Sequence, residues 1–164
     1  MKIRSVTGED CKLLWEWAND PEVRAWAFQT EPIAWEQHLA WFRQKSLDPN
    51  RFIYIIMNEN DQPIGQVRFE VQCDDAEVSI SLEKSHRGRG YGVEGLRLAC
   101  QSLLHSSSVQ RLLAYIKPAN AGSLKVFEKA GFVSRGREWK KGNQAVCMML
   151  ERDASGPMAS SGLE

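Results

Sequence analysis

The segment Arg87-Gly88-Arg89-Gly90-Tyr91-Gly92 constrains this chain more than any other. It lies between an alternating run at 76–82 and a helix-periodic run that begins near residue 91. A turn from strand to helix leaves the first helical N–H groups unpaired and presents the positive end of the helix dipole. Glycines there permit positive φ and let an anion come close to the backbone. Arg87 and Arg89 add charge beside the same turn. Two familiar phosphate loops do not fit. A P-loop needs Gly-Lys-Ser/Thr before its helix, and Gly88-x-Gly90-x-Gly92 is not the GxGxxG of a dinucleotide site. The segment therefore predicts an anion-binding strand–turn–helix of another kind.

The rest of the chain is read outward from that turn. Residues 2–6 alternate as a strand. Thr7, with Asp10 three residues on, predicts a capped helix over 8–18. Asn19-Asp20-Pro21 breaks it and starts a helix over 21–27. The spacing of Trp35, Leu39 and Phe42 predicts a third helix over 33–47. Residues 51–57, 64–71 and 76–82 read as strands joined by polar turns, an antiparallel meander. Beyond the glycine turn come a helix to about residue 105, a strand at 111–116, a helix at 120–130, and strands at 132–138 and 144–151. Strand, helix and strand across 76–116 predict parallel pairing of 76–82 with 111–116, hence a mixed α/β class. One domain over 1–152 accounts for this. The small, polar tail 153–164 is expected to be disordered.

Composition removes several function classes. The 21 basic residues balance 21 acidic ones, without the basic excess by which nucleic-acid binders displace counterions. Cys11, Cys73, Cys100 and Cys147 form no CxxC pair and have no histidine at ligand spacing, so no metal site is expected. Four reduced thiols suit a cytoplasmic setting. No run approaches a membrane span, and the first residues lack the apolar core of a leader.

A second block lies about thirty residues beyond the glycine turn: Asn120-Ala-Gly-Ser123-Leu-Lys-Val-Phe127-Glu-Lys-Ala-Gly131-Phe132. Asn120 is a good N-cap, and its amide can also bond an external group. Arg-x-x-Gly-x-Gly at 87–92 followed by this block resembles the GNAT superfamily of acyl-CoA N-acyltransferases, and the order of elements over 2–151 agrees. The resemblance implies a mostly antiparallel seven-stranded sheet, flanked by helices, with a splayed central parallel pair. It implies acetyl-CoA as cofactor. Its pantetheine arm would lie beside Leu82, its pyrophosphate on Arg87, Gly88, Arg89, Gly90, Tyr91 and Gly92, and Asn120 and Ser123 would line the channel. Arg87, Arg89 or Lys125 would meet the 3′-phosphate. Where many members carry a tyrosine that protonates the leaving thiolate, this chain has Phe127. Tyr115 and Tyr91 are the alternatives.

Alternation locates the acceptor side. In 76–82, Glu77, Ser79 and Ser81 share one face, and in 64–71 Gln66, Arg68 and Glu70 do. A polar stripe on a central strand predicts a wet pocket. Glu77 is the candidate base, with Ser79 and Ser81 as relay or orienting groups and Arg68 as partner for a substrate anion. Five of the six tryptophans fall within residues 15–41. They suit a helical core or an aromatic lid, with Trp26 the candidate substrate contact. The run around Asn19-Asp20-Pro21-Glu22-Val23-Arg24 resembles nucleotide-linked amino-sugar N-acetyltransferases of the pseudaminic acid type, and also ribosomal-protein and aminoglycoside acetyltransferases. The expected reaction is direct acetyl transfer to a primary amine through a tetrahedral intermediate, with a sugar nucleotide the favoured acceptor. The alternatives are a ribosomal-protein N-terminal acetyltransferase and a non-catalytic acyl-CoA sensor. A homodimer is compatible with the resemblance.

Overall fold

The computed structural model of the protein describes residues 1–153, so the tail expectation for 154–164 falls outside the described residues. Seven strands form one sheet: β1 (Lys2–Ser5), β2 (Arg51–Met57), β3 (Pro63–Gln72), β4 (Asp75–Leu82), β5 (Arg111–Ile116), β6 (Val133–Lys140) and β7 (Asn143–Glu151). Five α-helices accompany them: α1 (Cys11–Ala18), α2 (Pro21–Trp26), α3 (Trp35–Lys45), α4 (Tyr91–Ser106) and α5 (Ala121–Lys129). The strand order is β1-β2-β3-β4-β5-β7-β6, and among the described residues only β4 and β5 run parallel.

Strand β2 reads as a continuous apolar run because both its faces are covered. Tyr54 and Ile56 enter the larger core with Leu96, Leu103 and Phe127 of α4 and α5. Ile53, Ile55 and Met57 enter a second core with Leu14, Trp17 and Phe42 of α1 and α3. The helices before the meander thus cover one sheet face, and those after it cover the other.

The central pair does not stay paired. Its ladder consists of Asp75–Arg111, Ala76–Leu112 and Glu77–Leu113 and then stops. Val78–Leu82 remains bonded to β3, and Ala114–Ile116 to β7. The sheet is therefore split between β4 and β5 from residue 78 onward. Alternate backbone groups of both strands that face the gap have no strand to bond.

Two helix starts differ from expectation. The first begins as a 3-10 turn over Gly8–Asp10, and α1 follows from Cys11. The Thr7–Asp10 capping box is present, with Thr7 N–H donating to Asp10 Oδ2 at 2.8 Å. Asp10 also takes two bonds from Arg4, at 2.7 and 2.8 Å, which tighten this first turn. Helix α3 begins at Trp35 rather than 33 because Ile33 is held elsewhere. Its N–H donates to Asn19 Oδ1 at 2.7 Å, and its carbonyl accepts from Trp15 Nε1 and Asn19 Nδ2.

Candidate active site

The glycine turn lies at the end of β4, where the sheet opens. Gly88 and Gly90 have φ of 74° and 86°, values that a side chain would strain. Gly90 is the N-cap of α4 and has no side chain to cap it. Among the described residues, no acceptor takes the backbone N–H of residues 88–92. Five successive donors stand at the positive end of a sixteen-residue helix, an arrangement that can accept a diphosphate.

From this turn a groove of about 1310 Å³ runs through the split. Its walls are the unpaired ends of β4 and β5, the N-terminal part of α5, and the segment from α2 to Ile33. Leu82, Gly88, Gly90, Gly92, Asn120 and Ser123 all line it. Asn120 caps α5 by accepting from Ser123 N–H at 3.1 Å, which leaves its amide NH2 for a ligand. Trp41, Arg68, Glu77 and Ser79 line it beside the paired base of the split, while Ser81 adjoins Leu82 and Trp26 lies on α2. All the expected cofactor and acceptor residues except Arg89 and Tyr91 are thus brought into one continuous cleft.

Several side chains have duties that the sequence did not disclose. Arg87 turns toward α2. Its Nη1 donates to Glu22 Oε2 at 2.6 Å, its Nη2 meets Asp20 Oδ1 at 3.2 Å, and its Nε donates to the Leu82 carbonyl at 3.0 Å. It braces α2 against the glycine turn. Arg89 and Tyr91 lie outside the groove wall. Tyr91 points its hydroxyl to Glu59 at 3.1 Å, so only its amide belongs to the anion site. Glu77 sits on the last paired step below the split, and Lys140 Nζ holds its Oε2 at 2.7 Å.

Phe127 is buried and packs edge-on against Phe132, with ring centroids 4.9 Å apart. Tyr115 is the groove's tyrosine. Burial pushes its hydroxyl pKa up to about 12, so it holds its proton throughout the neutral range. Lys140 Nζ lies over its ring, 4.1 Å from the centroid.

Three cross-strand pairs make up the polar face of β3 and β4: Gln66–Ser81, Arg68–Ser79 and Glu70–Glu77. The two glutamates are not left to repel each other, since Arg51 pairs with Glu70 and Lys140 with Glu77. Arg68 lies over the Trp41 ring at 5.6 Å and pairs with no carboxylate among the described residues. Desolvation, then the neighbouring Arg24, lowers its pKa. His38 is buried and donates Nε2–H to the Cys11 carbonyl at 2.8 Å. Burial lowers its pKa and keeps it neutral. Gln66 and Trp41 were visible in the sequence only as members of a stripe and of an aromatic cluster. Lys140 gave no signal, because its place depends on the β6–β7 register.

The family model for the Acetyltransferase (GNAT) domain matches residues 1–133. The chain belongs to the GNAT acetyltransferase family. The free amides of 88–92 and the split between β4 and β5 fit acetyl-CoA, the acyl donor that acetyltransferases of this family take. An uncharacterized protein of Methanocaldococcus jannaschii is 28% identical over 144 residues, covering 83% of this chain and 29% of the relative. The chain thus spans less than a third of that relative's length. Aminoglycoside N(6')-acetyltransferase type 1 of Klebsiella pneumoniae is 27% identical over 172 residues, covering 93% of this chain and 83% of the relative. Among solved structures, AAC(6')-Ib in complex with ribostamycin and coenzyme A superposes with a TM-score of 0.81 at 23% identity, with 98% of each chain covered. That likeness fixes the fold of this GNAT domain. Among the described residues, no helix is long and apolar enough to cross a membrane.

Proposed function

We propose that this GNAT domain transfers the acetyl group of acetyl-CoA to the primary amine of a small molecule, with a nucleotide-linked amino sugar as the acceptor that its groove suits best. The observation that carries the reading is the split between β4 and β5 beside five free amides. An exposed strand edge inside a sheet invites an extended ligand to add along it, and the adjoining amides hold its diphosphate. Acetyl-CoA supplies the acetyl group as an activated thioester.

The chain's own residues do the rest. Backbone N–H groups of Val78–Leu82 facing the gap provide donors for an oxyanion that develops there. Ser79 and Ser81 line the approach of the amine, which must arrive neutral to have a lone pair. Glu77, one step below the split and tethered to Lys140, draws protons from the amine through water. Tyr115, which keeps its proton, is the hydroxyl available to a departing thiolate. Phe127 is a core residue, so the absence of a tyrosine there does not remove the groove's only phenol.

Charge favours an acidic acceptor over a polycation. Seven Lys and Arg side chains but only three Glu line the groove, and Glu22 and Glu77 are already paired. Trp26, an exposed aromatic in the groove, offers a face for a ring. Thiol release from acetyl-CoA with a panel of UDP-amino sugars tests the proposal. Turnover with at least one is expected. Coenzyme A binding without release by any amine contradicts it.

A further inference from the structure

Among the described residues, two side chains on the β3 wall of the groove lack the partners that their chemistry demands. Gln66 is 3% exposed, and its Nε2 donates to Ser81 Oγ at 3.3 Å. Its Oε1 is buried and receives no hydrogen bond. An unsatisfied buried acceptor is costly, so native proteins rarely keep one without a use. Arg68 is the next residue on the same face of β3 and is a cation without an anion. The two carboxylates of the neighbouring row, Glu70 and Glu77, are taken by Arg51 and Lys140. Arg24, the charge nearest in effect, is another cation. Its guanidinium is spent on the carbonyls of Ala18, Gln29 and Glu31. Both Gln66 and Arg68 line the groove.

One face therefore offers an acceptor for N–H and, two residues or about 7 Å along the strand, a cation for an acid. Resting on the acetyl-transfer reading, we infer that the acceptor is a primary amine carrying its own acid group, with an amine N–H bonded to Gln66 Oε1 and the acid paired with Arg68. A carboxamide suits the first task. It takes a hydrogen bond without adding a negative charge that would hold the amine as ammonium. A guanidinium stacked on an indole suits the second, since its fork binds carboxylate and phosphate oxygens alike. A polyamine satisfies Gln66 and leaves Arg68 bare, whereas an acid without an amine does the reverse.

The test begins with coenzyme A at saturation, which fills the glycine turn and separates failure of the acetyl-transfer reading from failure of this one. Inorganic phosphate is then titrated while thermal unfolding is followed. It should raise the melting temperature of the unaltered protein. Arg68→Met should abolish that rise and melt higher than the unaltered protein in phosphate-free buffer, because it removes an uncompensated charge. Arg68→Lys should keep part of the rise. Thiol release is measured next with UDP-glucosamine, glutamate and spermidine. An acid-bearing amine should be preferred, and whether it is the sugar nucleotide or the amino acid identifies the acid as diphosphate or carboxylate. Arg68→Met should raise its KM about tenfold to a hundredfold while the KM for acetyl-CoA stays unchanged. Gln66→Leu should raise the same KM without lowering the melting temperature, which a purely structural glutamine would not allow. A phosphate effect undiminished in Arg68→Met, or preference for spermidine, overturns the inference.

Discussion

Arg87 shows how one side chain can serve two ligands while touching neither. By its motif it belongs to the diphosphate, yet it holds Asp20, Glu22 and the Leu82 carbonyl. Replacing it with Met should therefore raise the KM for the acceptor as well as for acetyl-CoA, since α2 forms part of the acceptor wall. Arg89→Gln should change only the latter. Steady-state kinetics with each substrate varied separates the two outcomes. Asp10 makes a second prediction at this scale. The Arg4 guanidinium, aided by Thr7, holds its carboxyl below the usual carboxylate range. The unfolded chain therefore binds the proton first, and the stabilisation is complete above the ordinary pKa near 4. It disappears as pH falls through the lower folded value. Denaturant unfolding at pH 7 should show Asp10→Asn less stable by about 1–2 kcal/mol, allowing for the solvent-facing side of Arg4. The difference should shrink below pH 4.

Among the elements, α4 is placed tightly against β2. A Cβ on Gly95 would lie 2.5 Å from Ile56 Cδ1, and Ile56 is fully buried. Gly95→Ala gains helix propensity of about 1 kcal/mol but overpacks the α4–β2 contact, at a cost of about 1–3 kcal/mol. A melting temperature lower by up to roughly 8 °C is expected, recovered when Ile56→Val is added. The elements themselves were largely legible, because alternation and 3.6-residue spacing are local properties. The seven strands and five helices stand where the periods place them, within a few residues. The end of the β4–β5 ladder was not legible from spacing, since no residue marks it. Beyond it, Leu82 approaches the empty side of Gly92 at the start of α4. The resemblance alone announced the split. Gln66, Arg68 and Glu70 were visible as a stripe, but the pairing that leaves Arg68 alone needed Lys140 and Arg51 to be in place. The start of α3 was misjudged because Asn19, which looked like a simple helix breaker, clamps Ile33.

At the scale of the molecule, one groove joins the diphosphate turn, the split and the acceptor wall, so the parts should respond together. Coenzyme A at about a hundred times its Kd should stabilise the fold by about 2.7 kcal/mol, visible as a rise of roughly 5–10 °C in melting temperature. The central claim is narrower: the free amides of residues 88–92, held open by glycines at positive φ beside the split, are what grip the cofactor. Titration calorimetry with coenzyme A, on the unaltered protein and on Gly90→Val, tests it most directly. One site per chain is predicted for the first and loss of the heat for the second, with the far-ultraviolet circular dichroism of the two proteins alike. No binding by the unaltered protein, or equal binding by Gly90→Val, would contradict the account.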